Sequence, residues 1–224
     1  MTLQGRLLVG ASVLAVALAG WLVLVEQVLG MDVGGGSGLG ALGWLIGFWA
    51  AMTAAMMLPS AAPTVLLVSG LRGSLDAFAF LAAYVVAWCG AGLAAFGAYQ
   101  ALGLFTSWDA GGPWAAGAAL LVAGLYQLTP LKDACLRRCR SPLSFVARGR
   151  RGPLGAAAMG LGHAAFCIGC CAGLMLALFA LGAMSLFWMG AAAGAILVEK
   201  LLPRGERWAH ATGFALVAVG AWSL

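Results

Sequence analysis

The stretch HAAFCIGCC, residues 163–171, joins one of the chain's two histidines to half of its six cysteines. On a helix at about 100° per residue, His163, Cys167 and Cys170 fall within a ~60° sector, with Cys171 beside them. Residues four apart are neighbours on a helix, so His163 and Cys167 could chelate one ion. Met52 and Met56 make a second i, i+4 pair in WAAMTAAMMLPSAAP, and Cys135 and Cys139 a third in LKDACLRRCRS. Thioether, thiolate and imidazole together suit Cu(I), whereas Zn(II) accepts Cys and His but rarely Met. The candidate ligands are therefore Met52, Met56, His163, Cys167, Cys170, Cys171, Cys135 and Cys139, with Cu(I) the first ion and Zn(II) the second.

The elements that would hold these residues are apolar helices. Hydrophobic residues make up 63% of the chain and charged ones 8%, against about 25% charged in soluble domains. Mean hydropathy is +1.01. Runs of about 20 apolar residues match a hydrocarbon core of ~30 Å. The expected fold is all-α, a polytopic transmembrane helix bundle forming a single integral membrane domain. About seven spans are expected, near 7–29, 42–68, 77–104, 114–131, 154–181, 184–200 and 208–223. The ten-residue alternation of a membrane β-barrel is not visible. GGGSGLGALG (35–44) reads as a flexible loop, and Pro130 as the end of the fourth span.

All 12 basic residues fall in alternate loops, at Arg6, Arg72, Lys132 to Arg151, and Lys200 to Arg207. The loops near Asp32 and Asp109 hold none. The positive-inside rule then puts the N-terminus in the cytoplasm and the C-terminus outside. The net charge of +5 is a topology signal, and no soluble surface exists on which nucleic acid could bind. ALA (17–19) has the small-residue form of a signal-peptidase site, but the apolar run continues past it, favouring retention of residues 1–19.

Counting ~1.5 Å per residue, His163 and Cys167 lie roughly 12–18 Å deep and Met52 about 15 Å deep from the other side. Spans 2 and 5 would thus present soft donors at one level. Pro59 and Pro63 should kink span 2 and free carbonyls. Cysteine and methionine are also ordinary core fillers, but a mid-bilayer imidazole marks function by default. The pair Cys135/Cys139 would sit at the cytoplasmic mouth, where thiols stay reduced, among arginines suited to anionic headgroups. Glu199 and Lys200 enter where hydrocarbon gives way to headgroups. Glu199 could pair with Lys132 or an arginine of the preceding loop, and simple snorkelling would account for both charges equally well. Gly43/Gly47, Gly169/Gly173 and Gly190/Gly194 have the small-residue spacing of close helix contacts.

FWAAMTAAMMLPSAAP, LYQLTPLKDACLRRCRSP, GHAAFCIGCCAGLM and VEKLLPRG, in this order, resemble a bacterial family of predicted metal-binding integral membrane proteins with seven helices. The resemblance implies metal binding by the Met, Cys and His positions above and residence in the bacterial inner membrane. A frequent aromatic after the vicinal cysteines is Ala172 here. Three functions compete. The first is soft-metal handling: transport, buffering, or delivery between donor and acceptor proteins. The second is a thiol-disulfide oxidoreductase using Cys167 and Cys170. The third is a non-catalytic assembly subunit in a homo- or hetero-oligomer. No nucleotide site, Ser/His/Asp arrangement or paired carboxylates suggest another enzyme.

Overall fold

The computed structural model describes residues 3–30, 39–101, 104–149, 151–182 and 185–224. Among these the secondary structure is helical: α1 (Leu3–Leu29), α2 (Leu39–Arg72), α3 (Ser74–Ala101), α4 (Leu104–Gln127), α5 (Pro130–Cys139), α6 (Pro142–Arg148), α7 (Pro153–Leu181), α8 (Leu186–Leu201) and α9 (Gly205–Trp222). Four helical stretches are long and apolar enough to cross a membrane, namely Leu7–Leu29, Gly43–Arg72, Ser74–Ala98 and Pro153–Leu181. Trp114–Gln127 with Pro130–Cys139, bent by 63°, makes a fifth if counted as one broken span.

The two remaining expected spans, 184–200 and 208–223, correspond to α8 and α9. α8 has 16 residues, roughly 24 Å of helix. α9 carries Glu206, Arg207, His210 and Thr212 in its first half. The expected loop at 35–44 is shorter than its glycines suggested, because residues 39–44 already belong to α2. Residues 35–38 and Asp32 lie outside the described part, as do the side chains of Arg6 and Asp109.

The chain divides into two compact units, residues 1–92 with 141–165, and 93–140 with 166–224. In the first, α1 lies against α2 at Gly20, where an added Cβ would come 2.8 Å from the Ala51 carbonyl oxygen. Trp49 Nε1 donates to the Trp88 carbonyl at 2.8 Å, tying α2 to α3. Pro59 and Pro63 leave α2 a single helix, and Ser60 Oγ donates to the Met57 carbonyl at 2.8 Å beside them. Gly73, at φ +101°, supplies the left-handed turn out of α2. Arg72 then donates to the carbonyls of Val146 (2.5 Å) and Gly149 (2.8 Å) around α6.

In the second unit, α4 and α9 run antiparallel along a glycine seam. An added Cβ would come 2.7 Å from Val217 N at Gly124, 3.1 Å from the Gly124 carbonyl at Gly213, and 2.9 Å from the Gly117 carbonyl at Gly220. Gly173 of α7 meets α4 in the same way, 3.0 Å from the Ala123 carbonyl, and Gly169 faces Cys135. Of the three expected glycine pairs, Gly169/Gly173 is thus used. Gly43, Gly47, Gly190 and Gly194 meet nothing within 4 Å among the described residues.

Pro130 opens a helix rather than closing one. Its missing N–H is harmless at a first helical position and its φ is preset for the turn. Thr129 caps α5, its side chain accepting from the Lys132 backbone N–H at 3.3 Å. The turn at 128–129 is what swings α5 away from the line of α4.

Candidate metal centre

The centre is built in the second unit from α5, α7 and α8. Cys139 is the last residue of α5, while Cys167 and Cys170 lie three apart on α7. The three sulfurs lie within 4.8 Å of one another, and all three residues are buried. An ion about 2.3 Å from each of three sulfurs would set them roughly 3.8–4.0 Å apart. The cluster therefore fits a single ion with small side-chain adjustments. Cys171 adds a fourth sulfur, 3.8 Å from that of Cys170.

Lys200, near the end of α8, reaches into the same place. Its Nζ donates to Cys167 Sγ at 2.8 Å, and the residue is buried. An ammonium drawn from water must meet negative charge or good acceptors. Sulfurs able to carry charge provide that.

A buried polar network holds α5, α7 and α8 in register. Lys132 of α5 pairs with Glu199 Oε2 of α8 at 2.6 Å, the two side chains being 0% and 2% exposed. The same ammonium donates to the Cys170 carbonyl. Glu199 Oε1 accepts from Gln127 Nε2 at 2.8 Å and from Thr212 Oγ1 at 3.0 Å, which brings in α4 and α9. Arg140, directly after Cys139, donates to the Glu199 carbonyl at 2.5 Å. A Cβ at Gly205 would overlap both that guanidinium and that carbonyl, so the turn into α9 needs glycine there. Tyr126 Oη donates to the Gly169 carbonyl at 2.7 Å, completing the tie between α4 and α7.

The other expected ligands are placed differently. Cys135 is half-buried one turn before Cys139, with its sulfur against Gly169. Met52 and Met56 are buried on α2 in the first unit, as is His163 on α7. The imidazole has aromatic neighbours there, with ring centroids 5.7 Å from Phe80 and 5.8 Å from Tyr84. Lys200 was not among the candidate ligands, whereas the pairing of Glu199 with Lys132 was one of the expected options. The signal for both was the placing of charges within or next to apolar runs, which snorkelling would explain equally well.

A buried sulfur cluster on a helical scaffold is the equipment of a soft-metal protein. The sequence model of the PpoB2 copper chaperone family matches residues 46–223, so the chain belongs to that family. No curated protein matches the chain, and no solved structure does.

Proposed function

We propose that this chain is a multi-pass protein of the bacterial inner membrane that binds Cu(I) and exchanges it with a donor or acceptor protein. Cys139, Cys167 and Cys170 are the principal ligands, and Cys171 is an alternate sulfur. The observation that carries this reading is the convergence of three buried sulfurs within 4.8 Å. Thiolates favour Cu(I) among the ions available to a cell, and the copper chaperone family supports that choice. Cys135, closer to solvent, serves as the entry ligand to the cluster. Met52, Met56 and His163 supply soft donors in the first unit.

Membrane residence is supported by what α1 exposes: Leu7, Leu8, Leu14, Leu18 and Leu22 all face outward. Such a surface is unsuited to water and suited to lipid. Seven crossings with a cytoplasmic N-terminus account for the partition of basic residues. In that arrangement the shorter α8 and α9 cross beside longer neighbours, and Cys139 and Lys200 approach the cluster from the cytoplasmic ends of their helices.

Cu(I) affinity of the purified, detergent-solubilised chain, measured by competition with a chromophoric chelator, tests the reading. Cys139→Ser, Cys167→Ser and Cys170→Ser should each weaken binding by about 100-fold, since serine keeps the shape and loses the soft donor. Cys89→Ser, in the first unit, should leave it unchanged. Equal affinity in all four variants would refute the assignment. A Cys167–Cys170 disulfide that turns over with a quinone would replace it with thiol-disulfide exchange.

A further inference from the structure

We propose that Lys200 is the charge-balancing residue of the centre, tuning it to a monovalent ion. The inference rests on the copper reading above and adds to it a residue that binds no metal itself. Its basis is geometric: the Lys200 ammonium lies 2.8 Å from Cys167 Sγ, inside a cluster whose three cysteines are all buried.

Charge counting gives the argument. Cu(I) entering the cluster forms two copper–thiolate bonds, and any proton those two sulfurs carried leaves to solvent, while copper stays Cu(I) and no electron moves. The third sulfur remains a neutral donor. The resulting dithiolate carries one negative charge, which a buried site tolerates only when it is matched. Lys200 matches it, and the sum is zero. Zn(II) on the same two thiolates is already neutral, so beside Lys200 it leaves an excess positive charge unless the third thiol also ionises. Lys132 does not supply this balance, because it is matched by Glu199 at 2.6 Å. Arg140 is only partly buried and is directed to the Glu199 carbonyl.

Replacing Lys200 by a neutral side chain should therefore penalise Cu(I) selectively. A purely structural role would lower the affinity for every metal together.

The test compares the full-length chain with Lys200→Met and Lys200→Arg in detergent. Cu(I) affinity is read by competition with a copper chelator, and Zn(II) affinity by competition with a zinc-binding dye. Lys200→Met should bind Cu(I) about 100-fold more weakly, in line with loss of a unit charge at contact distance, and Zn(II) within about threefold of the parent. Lys200→Arg should restore most of the Cu(I) affinity. Lys200→Gln gives the same neutralisation if methionine disturbs folding. Parallel loss of both metals, or an unchanged Cu(I) affinity in the neutral variants, would overturn the role of Lys200 while leaving the cysteine ligands standing. Parent protein that binds Cu(I) no better than a Cys139→Ser/Cys167→Ser/Cys170→Ser variant would overturn the copper reading and this inference with it.

Discussion

Glu199→Gln isolates the energetics of the network beneath the cluster. The substitution keeps the shape of the side chain and an oxygen able to accept from Gln127 and Thr212. It removes the negative charge that faces the Lys132 ammonium at 2.6 Å, where both side chains are almost wholly buried. Lys132 then keeps its bond to the Cys170 carbonyl but loses its counter-charge. Breaking a buried pair from one side typically costs about 3–5 kcal/mol, most of it the cost of the orphaned charge. At about 2–4 °C per kcal/mol for a chain of this length, the unfolding midpoint should fall by roughly 6–20 °C. Tryptophan fluorescence during a thermal ramp in detergent reads this directly. Adding Lys132→Met removes the orphan, so the double variant should regain at least half of the loss. A single variant within 2 °C of the parent would refute the reasoning, as would a double variant less stable than the single one.

Gly124→Leu should destabilise the chain by about 3 kcal/mol or more, because even its Cβ would fall 2.7 Å from a backbone nitrogen of α9. Gly190→Leu, with nothing within 4 Å of the added Cβ, should leave the unfolding midpoint unchanged; a comparable loss in both would argue against the α4–α9 seam. Thr129→Ala removes the cap of α5 and should cost about 1 kcal/mol, read in the same thermal assay.

Hydropathy and length made the long helices legible, since α1, α2, α3 and α7 are continuous apolar runs. Periodicity within one helix also found the face of Cys167 and Cys170. It could not find what closes that face. Cys139 joins the other two only because Thr129 and Pro130 start a new helix at an angle to α4, and proline alone reads equally well as an ending. The seam of α4 and α9 escaped for a related reason: Gly117/Gly124 and Gly213/Gly220 are seven residues apart, while the motif sought was four. His163 shows the limit of reasoning by residue type. Its imidazole is buried, and Phe80 and Tyr84 give it neighbours that no spacing rule predicts.

Lys200 carries that point furthest. A lysine after a glutamate at the end of an apolar run is, by sequence, a snorkelling side chain at a membrane edge. Glu199 and Lys200 are adjacent, so on a helix they point about 100° apart. Glu199 is taken by Lys132, which leaves Lys200 facing the sulfurs of α7. The separation of these two neighbouring charges into one closed ion pair and one ammonium against cysteine allows a single turn of α8 both to brace the centre and to set its charge.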